Sequence, residues 1–564
     1  MVSFRSAVGN RLGQFFTSPG RERGYCRQLR SLLFTSLSLF AVIPPQPQAH
    51  AEHDLPEAIK NQCALNQVPS DSRFEAMKSG KALCALYGSL NWNPVWIADS
   101  SRVHEALHLV QRSNAHGLNR EWYHFDELVA LHDKTALTER LLFEFTLTRA
   151  IAQLLIDAST GCRAARLKED PIGAAAVNRE EIALQQVTRV FRAANLRRAV
   201  EEAYPNTPAY QKLRAALEDT RRAHEETPLS LPHTVRKGET STLLPLVRER
   251  LLQQGFFAAT GEHPELFTEA DEKTIREFQE ARGLTPDGTL GKKTMLELNA
   301  QPSSRIATLR ANLERLRWEQ ASLPDLLVEV NIPDFRLTLY ESGKPTLSMP
   351  VIVGKPITPT ALFSAAITGV TFNPWWRVPT SIVHNELLSQ LRKDPRRATA
   401  HGMEVRFRED GTSPPLDVSS IDWHQVPRSM ASRIEMRQQP GPHNPLGTLK
   451  FEMPNPHTIY LHDTPSKSLF INTTRAFSHG CIRLGDPKAL AVALLGGEEH
   501  QWGITQIDEA VQSHQTRTVR VRPQVPVRTV YRTAWVDSAG RLQLRPDLYR
   551  LDEALLRSSY FSRR

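Results

Sequence analysis

The chain has 564 residues, 40% hydrophobic and 23% charged, which is too long for one core and excludes both a polytopic membrane protein and a wholly disordered chain. The formal charge of +9 does not point to nucleic acid: six arginines (Arg5, Arg11, Arg21, Arg23, Arg27, Arg30) stand against Glu22 alone in residues 1–51, and the remainder is nearly balanced, so no nucleic-acid partner is expected. Five cysteines in this length cannot form a disulfide scaffold.

Ser31–Ile43 is a short, uncharged, mostly apolar run behind those arginines, followed by Pro44, Pro45, Pro47 and the small-x-small string Ala49-His50-Ala51. Residues 1–51 are therefore expected to be a signal peptide, with an uncleaved inner-membrane anchor as the alternative. The run is shorter than the roughly 20 residues of a spanning helix. Either way the bulk of the chain is expected outside the cytoplasm, in the periplasm. In an oxidising compartment Cys63 and Cys84 could pair locally or remain two buried thiols; Cys162 reads as structural.

Residues 52–235 read as a helical scaffold domain. Val103–Val110 and Thr146–Asp157 carry apolar residues at helical spacing, stopped at Asn114–Gly117 and Gly161. Trp92, Trp96, Trp122 and Tyr123 are expected in its core. Residues 236–300 read as a small three-helix domain: Leu243–Leu252, Glu269–Arg282, a turn at Thr285–Gly288, and Gly291–Asn299. The string FTEADEKTIREFQEARGLTPDGTLGKKTMLELN resembles the peptidoglycan-binding-like module; a helical spacer without ligand is the plainer reading. Residues 301–325 are a linker helix.

From Leu326 the pattern alternates, with turns at Pro333-Asp334 and Ser342-Gly343, and a second strand-rich stretch covers Leu449–His462. Residues 326–500 are thus read as a β-rich domain, and the polar, Arg- and Pro-rich residues 384–447 as a lid-like insertion. A helix is expected over Lys488–Leu495. Residues 501–564 form a C-terminal extension with a strand-like piece at Thr529–Val536. The fold class expected is multidomain α+β.

The chemistry concentrates in His462–Leu484, HDTPSKSLFINTTRAFSHGCIRL. A thiol becomes a nucleophile when an imidazole takes its proton. His479, only two residues from Cys481 in a turn, is poorly placed for that. His462, at the end of an expected strand, can be brought alongside. Cys481 is therefore the expected nucleophile, His462 the general base and acid, and His479 a nearby organiser. Gly480 allows close backbone approach, and the Cys481 N–H is the natural oxyanion donor. Arg483 either binds a substrate carboxylate or braces the loop. Half a zinc site is the alternative for a Cys beside a His, but no C-x-x-C or H-x-x-x-H lies nearby, and no metal or other cofactor is expected.

The order His, 15 residues, Ser478-His479-Gly480-Cys481, then Ile482-Arg483 resembles the L,D-transpeptidase family with a YkuD-type catalytic domain. Asn312–Arg315 with Arg317-Trp318, Val330–Pro333, Val351–Lys355, Phe372–Pro374 with Trp376, Arg437-Gln438 with Pro440-Gly441, Asn444 with Leu446-Gly447, Tyr460–Pro465 and Tyr531–Asp537 resemble its large multidomain YcbB-like branch. Thr360-Ala361 departs from the branch's usual Thr-Pro, and Trp375 from its usual Tyr, which leaves substrate detail open. The resemblance implies a cysteine-dependent acyltransferase that releases D-Ala from a tetrapeptide stem and forms 3→3 peptidoglycan crosslinks. It implies peptidoglycan stem peptides, and other cell-wall synthases, as partners, and acylation of Cys481 by carbapenem-type inhibitors. Ser478, Arg483, Tyr460, Asn373 and Trp376 are the substrate-groove residues it suggests. A papain-like peptidase would place its Cys early and its His far downstream, the reverse of the order here. A cell-wall binding protein, or an L,D-carboxypeptidase without crosslinking activity, is the alternative function.

Overall fold

The structure, a computed structural model, describes residues 50–162, 179–257, 262–319, 324–407, 416–427, 433–496 and 502–557. The expected leader, residues 1–49, lies outside them. No helix among the described residues is long and apolar enough to cross a membrane. From Ala51 onward the chain packs as one unit.

The first part is helical. Helix Leu137–Thr160 is its axis, buried almost continuously from Leu141 to Ala158 and ended by Gly161 at φ 68°. Ser100–Arg112, Phe125–His132 and Arg179–Phe191 pack on it, Gly80–Ser89 reaches it through Tyr87, whose hydroxyl bonds Glu144 and Thr148, and Leu196–Glu201 and Pro208–Arg222 complete the same core. Trp96, Trp122 and Tyr123 are in the core; Trp92 packs on its margin. Asp99, Asn195 and Thr207 each cap a helix by accepting from a backbone N–H in its first turn. Cys63 and Cys84 form a disulfide, resolving that pair. Cys162 is buried, its N–H donated to the Glu314 carboxylate.

Residues 235–298 build a separate small core from Val235, Leu244, Val247, Leu251, Phe256, Phe267, Ile275, Phe278, Leu290, Met295 and Leu298. Its helices are Leu244–Gln253, Glu269–Ala281 and Lys292–Leu298. Thr268 and Asp271 form a capping box, and Asp271 also pairs with buried Arg248 at 2.7 Å. Helix Pro302–Trp318 then returns to the scaffold, placing Leu309, Leu313 and Leu316 in the scaffold's core.

The strand-rich part is a sheet of β1 (Leu326–Asn331), β2 (Arg336–Glu341), β3 (Lys344–Gly354), β4 (Ser364–Phe372), β9 (Leu449–Glu452), β10 (Leu461–His462), β11 (Ala476–Ser478), β12 (Ile482–Leu484) and β13 (Arg517–Val530). The order is β11-β3-β12-β10-β9-β4-β13-β1-β2, and β2 also pairs with β3, so the sheet closes on itself with β11 attached to β3. Inward residues alternate along the strands: Val328 and Val330, Leu337 and Leu339, Leu449 and Phe451, Leu461, Ile482 and Leu484. Helices Pro487–Leu495 and Ile504–Gln512 cover this core with Leu490, Leu494, Leu495 and Ile507.

Two expectations change. Of the anticipated strand Thr458–His462 only Leu461–His462 pairs; Thr458 sits at φ 56°, and Asn455 binds the Ile459 backbone, so this stretch is a turn. The strand expected over Thr529–Val536 is two pieces: β13 ends at Val530 and β14 (Ala534–Val536) pairs with β15 (Leu542–Leu544).

The insertion is a folded body. β5 (Trp376–Arg377), β6 (Met403–Phe407), β7 (Leu416–Asp417) and β8 (Ile434–Gln438) form a sheet in the order β5-β8-β6-β7. Its own core holds Val378, Val383, Leu388, Leu391, Val405, Val418, Trp423, Ile434 and Met436. It thus starts at β5, before residue 384, and its last strand ends before residue 447.

Candidate active site

Alternation along the short strands creates the site. With Leu461, Ile482 and Leu484 committed to the inner core, His462 and Arg483 point to the outer face of the closed sheet. β10 and β12 run parallel, with Leu461 opposite Ile482 and His462 opposite Arg483. One step back, Cys481 lies beside Tyr460, so His462 and Cys481 are diagonal neighbours on one face. On β10's other side, Lys450 of β9 stands opposite His462. Lys450, His462 and Arg483 therefore form a row across three strands.

This face borders an open-mouthed cavity of about 800 Å³, lined on the other side by the start of the insertion. Tyr460, His462, Ser478, His479, Cys481 and Arg483 line it from the sheet, and Trp375, Trp376 and Thr380 from the insertion side. All the expected site residues but two of them thus border one cavity. Gly480 lies within the turn beside it. Asn373 is the correction: its amide donates to the carbonyls of Ala510, Val511 and Gln515 at 3.0–3.3 Å, fastening the end of helix Ile504–Gln512. At φ 46° it is a structural corner, not a groove residue.

His462 is buried, and its Nδ1 lies 2.5 Å from the Asp463 carbonyl. A carbonyl only accepts, so Nδ1 carries the hydrogen and Nε2 keeps the free lone pair a base needs. Asp463 is anchored in turn: Oδ2 accepts from Thr448 N (2.9 Å) and Thr448 Oγ1 (3.0 Å), and Oδ1 pairs with Lys467 (2.7 Å). Gly447, at φ +59°, leaves room for this carboxylate, which a Cβ there would strike. Burial, reinforced by the Arg483 charge, lowers the His462 pKa to about 3. Burial also raises the Cys481 thiol above its usual value, against hydrogen bonds from the backbone and side chain of Tyr460 and the charges of Lys450 and Arg483. The resting pair is therefore thiol and neutral imidazole.

Ser478 is buried and closes the turn. Its Oγ donates to Cys481 O at 2.5 Å and accepts from Gly480 N at 3.1 Å. Its part is local architecture. Gly480 adopts φ +115°, open to glycine and strained for other residues. His479 is exposed, and its Nε2 lies 2.5 Å from Glu386 Oε1 in the insertion. Arg483 is half-buried and shares the cavity with Cys481; burial lowers its pKa. The Tyr460 ring is 5.6 Å from that of His462, with Lys450 Nζ over it at 4.7 Å, and its phenol is pushed up by burial and the Cys481 sulfur. Trp376 lines the cavity while packing on the insertion core.

Lys450, Glu452 and Glu386 are functional candidates that the motifs did not reveal. Lys450 and Glu452 pair at 2.8 Å on the cavity wall. The signal available was alternation in Leu449-Lys450-Phe451-Glu452, which sends both charges to the face opposite the core. Glu386 carried no local signal, because its partner is 93 residues away. Among the described residues no group of three or more His, Cys, Asp or Glu is arranged to hold a metal ion.

Comparison with known proteins agrees with this site. Residues 325–501 match the family model of the YkuD L,D-transpeptidase catalytic domain, and residues 81–217 match the Scaffold domain. A candidate L,D-transpeptidase of Haemophilus influenzae is 32% identical over 269 residues, 47% of this chain; the chain spans about half (52%) of that relative's length. Among solved structures, an L,D-transpeptidase from Xylanimonas cellulosilytica is 15% identical, covering 54% of this chain and 100% of that one, at a TM-score of 0.18. The LD transpeptidase LdtMt1 in complex with imipenem is 14% identical, covering 36% of this chain and 59% of that one, also at 0.18. At such scores the superpositions carry no weight beside the sequence matches. Residues 325–501, which hold His462 and Ser478–Cys481, are thus similar to the YkuD L,D-transpeptidase catalytic domain, and residues 81–217 to the Scaffold domain.

Proposed function

We propose that the protein is an exported L,D-transpeptidase that forms 3→3 crosslinks in peptidoglycan by way of a Cys481 thioester. The observation that carries this reading is the placement of His462 and Cys481 as diagonal neighbours on one cavity wall, with the imidazole lone pair on Nε2.

A tetrapeptide stem enters the cavity with the carbonyl of its third residue at Cys481. The sulfur attacks the carbonyl carbon as its proton passes to His462; the C–S bond forms and the carbonyl π pair moves to oxygen. The Cys481 N–H meets that oxyanion. Collapse breaks the C–N bond, and D-Ala leaves with the proton from His462. The side-chain amine of a diaminopimelate on a second stem then attacks the thioester. His462 takes its proton, the new amide forms, the C–S bond breaks, and the proton returns to sulfur. Lys450 and Arg483 supply positive charge on the wall for the carboxylates that such stems carry. The insertion excludes water while the thioester waits for its amine. Residues 236–300 act as a peptidoglycan-binding module, and the leader directs the chain to the periplasm, where the Cys63–Cys84 disulfide is at home.

The test is muropeptide analysis of sacculi incubated with purified protein. The expected result is 3→3-linked dimers with the wild type and none with Cys481→Ala. Tripeptides without dimers would mark a carboxypeptidase. Retention on sacculi with no change in muropeptides would mark a binding protein.

A further inference from the structure

The backbone around Cys481 is pinned from two sides. Ser478 Oγ holds the peptides before and after, through Gly480 N and Cys481 O. The peptide between them, joining Gly480 to Cys481, is held from outside the motif: Thr360 Oγ1 donates to Gly480 O at 2.8 Å. Thr360 is 2% exposed and lies in the loop after β3. Its hydroxyl also accepts from Gly354 N at 2.9 Å, which fixes its orientation. Tyr549, from the C-terminal segment, bridges the base of this loop: its OH donates to Gly354 O at 2.7 Å and accepts from Thr360 N at 3.2 Å. Tyr549 is itself fixed, its N–H donated to Tyr531 OH at 2.7 Å, and that hydroxyl donates to Asp547 at 2.7 Å.

A peptide group is planar and trans, so its C=O and N–H point in opposite directions and fixing one aims the other. Glycine on one side leaves this plane free to rotate. The N–H aimed by Thr360 is that of Cys481, which has no acceptor among the described residues. We infer that Thr360, braced by Tyr549, is a positioning residue that aims the Cys481 N–H at the oxyanion formed when Cys481 is acylated. The inference rests on the acyl-transfer reading above and assigns it a determinant outside the His462 and Ser478–Cys481 motif.

Two reactions of the same sulfur separate aiming from general integrity. A carbapenem acylates by attack on its lactam carbonyl: the C–S bond forms, the π pair becomes an oxyanion, and collapse breaks the ring C–N bond, whose nitrogen takes a proton. Iodoacetamide alkylates by displacing iodide, and no oxyanion forms. Thr360→Val removes the hydroxyl at nearly constant volume. Because a lost oxyanion donor costs about 10²–10³-fold, a misaimed one is expected to slow carbapenem acylation roughly tenfold or more. Iodoacetamide alkylation is expected to stay within about twofold, and Thr360→Ser to restore acylation. Tyr549→Phe is expected to slow acylation by a smaller factor, again sparing alkylation, and carries the comparison if Thr360→Val does not fold. Acylation of Thr360→Val at the wild-type rate, a parallel fall in both reactions, or failure of serine to restore acylation would overturn the inference. If carbapenem leaves wild-type Cys481 unmodified, the acyl-transfer reading fails first.

Discussion

Burial sets the protonation state of His462 and Cys481. His462 is pushed down to about 3 and Cys481 upward, so at neutral pH the free protein holds SH beside neutral imidazole rather than a thiolate–imidazolium pair. Alkylation by iodoacetamide is therefore expected to rise steadily with pH through 9, with no plateau between about pH 5 and 8. A neutral-pH plateau in the rate profile would mean a resting ion pair. The same burial has a stability consequence. A folded pKa below the unfolded value of 6.5 means that the unfolded chain binds the extra proton. The contribution of neutral His462 is thus complete above about pH 6.5 and is lost as pH falls toward 3. At this scale the candidate pair was legible because His462 and the Ser478–Cys481 string lie close together in sequence. Lys450, Glu386 and the aiming role of Thr360 were not, because register, a salt bridge and a hydrogen bond between distant segments define them.

Among the elements, the short strands do most to place chemistry. β10 pairs over two residues and β12 over three, yet their inward Leu461, Ile482 and Leu484 fix which side chains face the cavity. Alternation made the strands from Leu326 readable. It misled at Thr458–Tyr460, where Asn455 imposes a turn, and it offered no guidance on Asn373, a corner residue with a left-handed backbone. The insertion reads as polar sequence because its few apolar residues are spread between residues 378 and 436, yet they assemble a core. Its link to the nucleophile turn is the Glu386–His479 pair. Glu386→Ala is expected to loosen that link and raise hydrolysis relative to crosslinking, measured as the tripeptide-to-dimer ratio with tetrapeptide donors. An unchanged ratio would remove Glu386 from control of water access. This substitution leaves the insertion's core intact, whereas deleting residues 384–447 would strand β5 and cut through that core.

Across the whole molecule, helix Pro302–Trp318 ties the parts together. Glu314 and Arg317 are fully buried on it and paired at 2.5 Å. Arg317 also donates to His116 O at 2.9 Å in the scaffold, while Arg315 of the same helix pairs with Asp552 near the C-terminus. Removing one partner of a buried pair strands the other charge, so Arg317→Ala is expected to cost about 3–5 kcal/mol of stability. Arg222→Ala, at an exposed pair, is expected to cost less than about 1 kcal/mol. Denaturant melts of the two variants check the contrast. The three-helix unit is held against the C-terminal segment by Arg541–Glu277 at 2.9 Å and Arg282 to Leu542 O at 2.7 Å, and it touches the catalytic part where Thr285 meets Thr473 at 2.7 Å. Helix order and the change to strands at Leu326 could be read from periodicity. These interdomain bonds could not, since each joins residues about 190 to 260 positions apart and no local pattern encodes them.

Mass spectrometry of the wild-type protein, quenched during turnover of a tetrapeptide stem without acceptor, tests the central assignment most directly. The expected species is the protein plus the donor stem less its terminal D-Ala, with the added mass on the peptide containing Cys481 and absent from Cys481→Ala. Turnover with no such adduct, or with the added mass on another residue, would contradict it.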